Sequence, residues 1–354
     1  MPSTDATLRH DPGRREFTSD NCSGAHAEIL SSLILANGGH QQAYGEDQYT
    51  ARLDDAFRRH FGPAARAFPV FNGTGANVIA LQAVTNRWGA ILCAEQSHLT
   101  EDEGGAPEHI AGLKLLELPS EDGKISPHLI DRAVEAASDV HSAQPQAVSL
   151  AQATELGTCY TPEEIGALSA CAHAHGLTVH MDGARLANAA AFLGVSLSAC
   201  TTETGIDILS FGGTKNGLLF GECIVVLDPS RVMGIPYLRK RSTHLASKMR
   251  FLSVQFEALL EGDLWRRNAS HANAMAARLG SLLSSLNGVR VTRPVEANSV
   301  FVTLPGAALA RLLDRYTVYT NDEDRGEVRL MCSFDTTERD VDTFGAAVEE
   351  ILSK

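Results

Sequence analysis

The sequence predicts an α/β protein: a mostly parallel sheet covered by helices on both faces, followed by a smaller α+β unit. Three observations carry this. From about residue 48 to about 250, short apolar runs alternate with helix-like segments, the pattern of strands joined by crossover helices. Five successive runs end in the polar or glycine-rich stretches "NGTGAN", "EQSH", "QATE", "MDGAR" and "GGTKNG", where an open α/β sheet binds its ligands. After about residue 250 the texture changes to a long Ala/Leu-rich stretch and shorter strand-like pieces.

Each element has its own justification. Residues 1–16 are polar with mixed charge and read as a loose arm. Leu53, Phe57 and Phe61 recur every four residues, one helical face, and Gly62 closes that helix. "ARAFPVFNGTG" is an apolar segment running into a turn, and "ANVIALQAVTNRW" reads as the helix after it. "AILCAE" and "LKLLELP" are strands, with a helix near "SPHLIDRAVEAASD". "QAVSLAQAT" is a buried strand, and Thr161, Pro162 and Glu164 then form a helix start with a capping box, running to Gly176. Strand "LTVHMD", helix "RLANAAAFLG" and strands "DILSFGG" and "ECIVVLD" complete the large unit. Beyond it come a helix at 268–286, two strands in "VRVTRPVEANSVFVTLP", a helix at 307–315, the strand "VRLMCSF" and a helix from Thr337. The expected division is 1–16, 17–250 and 251–354.

Composition narrows the class. The 354 residues are 44% hydrophobic and 21% charged, an ordinary globular balance. A net charge of −13 disfavours nucleic acid or an anionic membrane as the main partner. Seven scattered cysteines without C-x-x-C spacing argue against a disulfide framework and a zinc cluster. The first residues lack the apolar stretch of a signal peptide, and no run of about 18 apolar residues offers a membrane span. The expectation is a cytoplasmic protein acting on small molecules.

The chemistry begins at Lys215 in "SFGGTKNG". Lysine is rarely buried without a partner, and a desolvated lysine amine is a nucleophile in search of an electrophile. Gly73, Thr74 and Gly75 open a helix after a strand, so free backbone N–H groups there suit a phosphate; an ordinary glycine turn is the alternative. Asp182 ends an apolar strand with Arg185 three residues on. A salt bridge between the two satisfies that carboxylate, or a cofactor pyridinium does. An aldehyde-seeking lysine, a phosphate cradle and a strand-end aspartate together point to pyridoxal 5′-phosphate, held by Lys215 as a Schiff base.

In order and spacing, "TSDN", "AYGED", "FNGTGAN", "SHLTEDEGG", "HMDGAR", "SFGGTKNG" and "RLMCSFDTTERDVD" resemble the threonine aldolase family, low-specificity and phenylserine aldolase type. The resemblance runs from about residue 17 to the C-terminus. It implies the pyridoxal-phosphate-dependent transferase fold type I, with a seven-stranded sheet, and matches Lys215 to the Schiff-base lysine and Asp182 to the pyridine-nitrogen partner. Arg185 matches the residue beside the cofactor oxygen and the substrate carboxylate, and His98 the ring-stacking histidine. Gly73, Thr74 and Gly75 match the phosphate loop, and Ser19 and Arg329 the carboxylate contacts. Tyr44 lies in a segment that reaches the site, a neighbouring subunit being one source. Arg250 resembles the basic residue a partner lends to the phosphate. The implied assembly is a homotetramer built from dimers with shared sites.

The resemblance implies cleavage of L-threonine, L-allo-threonine and other L-β-hydroxy-α-amino acids to glycine and an aldehyde. An aminotransferase, a β-eliminating lyase or a catalytically silent binding protein of the same fold are the alternatives. One departure stands out. Many members carry a histidine in a Glu-Asn-Thr-His stretch where this chain has Gln152, Ala153, Thr154 and Glu155. The base that takes the substrate hydroxyl proton is then His98, Glu155 or a water. For Glu155 the simpler role is a carboxylate bound to a neighbouring backbone N–H.

Overall fold

The computed structural model describes residues 9–354. Residues 1–8 of the expected arm lie outside the described residues, and 9–16 form bends and turns without helix or strand. The large sheet contains β1 (Arg66–Val70), β2 (Gly89–Ala94), β3 (Lys114–Leu118), β4 (Gln144–Ala151), β5 (Thr178–Gly183), β6 (Ile208–Gly212) and β7 (Glu222–Val226). Their spatial order is β1-β7-β6-β5-β4-β2-β3. Five consecutive strands, from β3 to β6, pair in parallel. Only β7 runs against its neighbours β6 and β1. The chain between β6 and β7 is too short for a crossover helix, so the two strands must meet as a hairpin. Strands β2, β5, β6 and β7 are buried along their whole length, which is why they read as continuous apolar runs.

A second, antiparallel sheet follows. It contains β8 (Arg290–Val291), β9 (Ser299–Thr303), β10 (Tyr319–Asp322) and β11 (Glu327–Met331), in the order β10-β11-β9-β8. Strand β10 was not expected. It is a partly exposed edge strand, polar from Thr320 to the charged Asp322, so it lacks the alternation that marks a half-buried strand.

The helices follow the expected signals closely. Gln48–Phe61 stops at Gly62, whose φ of 95° needs a glycine. Pro162–Ala174 opens on the expected box, with Thr161 and Glu164 each bonded to the other's backbone N–H. Glu338–Leu352 opens on a second box, Thr337 with Asp340. Five α-helices of the described residues went unread: Ala27–Ala36, the one-turn His98–Glu101 and Ala106–His109, Ile235–Arg241 and Arg250–Leu260.

Two large hydrophobic clusters underlie the two sheets. Phe256, Leu259, Leu260, Leu264, Trp265 and Ala269 belong to the larger, while Met275, Ala276, Leu279 and Leu283 belong to the smaller. The changeover therefore falls inside the single helix Leu264–Ser284, beyond residue 250 where the sequence texture changes. Phe17 also joins the smaller cluster, its ring 4.8 Å from that of Phe344. All seven cysteines are free thiols. Among the described residues, no helix is long and apolar enough to cross a membrane.

Candidate active site

Strand ends of the large sheet converge on one cavity of about 340 Å³, lined by Gly73, Thr74, His98, Asp182 and Lys215 together with Asn21, Phe71, Ser210, Phe220 and Glu222. Each expected residue arrives from a different element. Lys215 sits in the turn Thr214–Asn216 directly after β6, and Asp182 near the end of β5. Gly73 begins the helix Gly73–Val84, and His98 the short helix His98–Glu101.

At the helix start, Asn72 caps by accepting the Gly75 N–H at 2.8 Å. Nothing lies within 4 Å of where a Gly73 side chain would begin, so this peptide faces open space. At Gly75 the position is filled instead: a Cβ would sit 2.1 Å from the His244 ring. His244 Nδ1 accepts the Phe71 N–H at 3.2 Å, and burial lowers its pKa. Sequence reading gave no hint of His244, which reaches this loop from 169 positions along the chain (244 − 75).

Asp182 is buried and doubly held. Its Oδ2 accepts from Asn77 Nδ2 at 2.8 Å and its Oδ1 from the Ala184 N–H at 3.0 Å. Burial alone would raise its carboxyl, but His98, the two hydrogen bonds and Lys215 outweigh that and hold it below the ordinary value. It is ionised at neutral pH. Below it, His180 bridges Ser149 Oγ (2.8 Å) and Ser210 Oγ (3.0 Å), and burial pushes the imidazole down to about 4. Opposite, the buried Glu222 accepts the Gly213 N–H at 2.6 Å and the Thr214 N–H at 3.4 Å, fastening the turn that carries Lys215. Burial raises this carboxyl to about 7.

Arg185 does not pair with Asp182. Its guanidinium forks onto Asp20, with Nε–Oδ2 at 2.8 Å and Nη2–Oδ1 at 3.0 Å. Asn298 Nδ2 donates to the same Asp20 Oδ2 at 3.0 Å. Burial opposes the Asp20 charge, yet Arg185 dominates with help from Lys215 and Asn298, and the carboxyl is held down at about 2. The salt-bridge alternative for Asp182 is thus removed, which leaves its charge available to the cavity.

Other expected residues lie at the margin. Ser19 caps a short turn, its Oγ accepting from the Asn21 N–H at 3.2 Å. Arg329 on β11 and Glu155 line a neighbouring polar cavity of about 490 Å³. They approach to 3.9 Å, and the Arg329 guanidinium lies 4.3 Å over the Tyr319 ring. Glu155 therefore faces an arginine rather than a backbone N–H. Arg250 starts the helix Arg250–Leu260, with its Nε buried and without a partner among the described residues. Tyr44 does not line the cavity of its own chain. It is half-exposed, has a φ of 61°, and carries Lys240 Nζ 5.0 Å over its ring.

This is a doubly wound sheet with a polar cavity at its strand ends, and comparison with known proteins gives its family. A family model described as Beta-eliminating lyase matches residues 16–306, and the chain belongs to that family. It is 42% identical over 340 residues to a "Low specificity L-threonine aldolase" of Pseudomonas sp. (strain NCIMB 10558), covering 96% of this chain and 98% of that relative. The protein of the same name from Pseudomonas aeruginosa is 42% identical over 323 residues, 91% of this chain and 93% of its own. A solved structure of Leishmania major threonine aldolase superposes with a TM-score of 0.90 at 29% identity, covering 96% of this chain and 100% of that one.

Proposed function

We propose that this protein cleaves L-threonine and other L-β-hydroxy-α-amino acids between Cα and Cβ, giving glycine and an aldehyde, with pyridoxal 5′-phosphate as cofactor. The convergence of Lys215, Asp182, His98 and the Gly73–Thr74 helix start on one cavity carries this reading. The donor set fits the group: an amine, an ionised carboxylate, an aromatic ring and open helix N–H groups, one for each chemically distinct part of the cofactor.

When bound, pyridoxal phosphate supplies an aldehyde that captures amines and a ring that takes up the electrons of a breaking Cα bond. Lys215 would hold that aldehyde and give way to the substrate amine. Asp182 would face the ring nitrogen and keep it protonated. The N–H groups at Gly73 and Thr74 would bind the phosphate, and Arg250 would add charge to it from a partner subunit. Arg329, with Ser19 and Arg185, would hold the substrate carboxylate and so select which Cα bond stands across the ring. His98 Nδ1 is bonded to Glu103 at 2.8 Å, which leaves Nε2 to take the β-hydroxyl proton as the aldehyde departs. Glu155 would act through Arg329 rather than as the base.

The protein is proposed to work as a homotetramer of dimers in the cytoplasm. Large apolar side chains that a monomer would leave in water support the assembly: Ile34 is 75% exposed, Leu35 79% and Tyr237 81%. Incubating the cofactor-loaded protein with L-threonine should yield equal amounts of glycine and acetaldehyde. Ammonia or a keto acid in their place would sink the reading.

A further inference from the structure

We propose that Glu103 is a positioning residue for this cleavage, fixing the His98 ring with Nδ1 protonated and Nε2 open to the substrate, and tying that ring through Asn77 to Asp182. The inference rests on the aldolase reading of the cavity. It stands on a continuous line of hydrogen bonds. A single oxygen, Glu103 Oε1, accepts from His98 Nδ1 at 2.8 Å and from Asn77 Nδ2 at 2.9 Å. The same Asn77 nitrogen donates to Asp182 Oδ2 at 2.8 Å. An amide nitrogen has two protons, and here both are committed to carboxylates, so the orientation of the Asn77 amide is settled. An ionised carboxylate only accepts, so the proton in the His98–Glu103 bond belongs to Nδ1.

Depth makes this line demanding. The Glu103 side chain is fully buried and Asn77 is 2% exposed, and a carboxylate at that depth requires its donors. Gly104 and Gly105, with φ of 58° and 72°, make the sharp turn that follows Glu103. His98 faces four carboxylates and a cation: Glu101 and Glu103 on its own segment, Asp182 from β5, Glu155 from the loop after β4, and Lys215, which lines the same cavity. Burial disfavours the charged ring, but the Glu103 bond and then the Asp182 and Glu155 charges outweigh it and raise the pKa. The logic parallels the buried carboxylate that orients the histidine of a catalytic triad. Here the carboxylate also reaches, through one amide, the residue assigned to the cofactor ring nitrogen. The base and the electron sink are thereby mechanically joined.

The test begins with NMR of the His98 ring nitrogens in cofactor-free protein, so it does not depend on turnover. The wild type should show the Nδ1–H tautomer and titrate above free histidine. Glu103→Gln, which keeps the shape and removes the charge, should lower the His98 proton affinity by about tenfold, the low end of the effect of an adjacent opposite charge. In the loaded enzyme the same variant should move the ascending limb of kcat to lower pH and reduce its plateau, with a smaller change in KM. An Nε2–H tautomer in the wild type, or an unchanged titration in Glu103→Gln, would overturn the assignment. Should Glu103→Gln fail to fold, the wild-type tautomer alone decides. A wild type with the Nδ1–H tautomer that leaves threonine uncleaved would refute the aldolase reading instead.

Discussion

At the scale of single residues, the Asp182 charge is held by the Asn77 amide and the Ala184 N–H, with His98 beside it. Asp182→Asn removes the charge and keeps the shape, so Cα–Cβ cleavage should slow by at least about 100-fold, the scale of one preorganised electrostatic contact. Near-normal turnover would take Asp182 out of its proposed role. Lys215→Ala should abolish both turnover and the borohydride-reducible attachment of cofactor, and an adduct found on another lysine would reassign the anchor. His98→Asn should cost more turnover than Glu155→Gln, because His98 lines the cavity with Lys215 while Glu155 leans on Arg329 at 3.9 Å. An ascending pH limb lost only in Glu155→Gln would make Glu155 the base. Lys215, Asp182 and Gly73 were legible in the sequence because each is marked by its own neighbours, glycines or a strand end. Asp20 and Asn77 carry no local mark. They meet Arg185 and Asp182 across 165 and 105 positions, a proximity that only the fold creates.

Elements were legible where a terminus carries its own chemistry. The Thr161 box announced its helix, and Thr161→Ala should cost about 1 kcal/mol in denaturant unfolding with little change in KM for threonine. The unread helices lack such signals. Ala27–Ala36 is capped by a histidine, His26, which is outside the usual set, and Arg250–Leu260 has no side-chain cap. The helix at Gly73 shows what glycine contributes beyond a turn. At Gly75 the absent side chain is space that His244 occupies. Gly75→Ala should therefore displace His244 and weaken cofactor binding by tenfold or more, while Gly73→Ala, facing open space, should weaken it less. Equal affinities in a fluorescence titration would show that the His244 contact is dispensable.

For the whole molecule, burial of Glu222 couples stability to pH. Burial pushes its folded carboxyl up to about 7, from an ordinary value of 4.5. Its contribution is therefore fully present below about pH 4.5 and is lost as pH rises through 7, at about 1.4 kcal/mol per unit of displacement before any discount for relaxation. Thermal melts of cofactor-free protein should fall between pH 5 and pH 8 in the wild type, and fall less in Glu222→Gln. Parallel melting profiles would mean that the carboxyl is not buried as an acid. Exposed apolar side chains can be counted in a structure but not located in a sequence, and sedimentation showing a fully active monomer would end the shared-site proposal.

The meeting of Phe17 with Phe344 gives the site a place in time. On a ribosome the residues near Phe17 emerge early, and the ring that receives Phe17 is made more than three hundred residues later (344 − 17). Until then the stretch around Asp20 has only its earlier partners, the Arg185 fork at 2.8 Å and the His26 N–H on the Gly217 carbonyl at 2.8 Å, and lacks Asn298, the Met331 N–H that donates to the Phe17 carbonyl at 2.7 Å and the Phe344 ring. The large sheet can form while the chain is still growing, but Asp20 gains its last donor, Asn298, only when the second sheet arrives. A chain cut short of residue 298 would thus carry Lys215, Asp182 and His98 beside an Asp20 that has Arg185 and lacks its Asn298 donor.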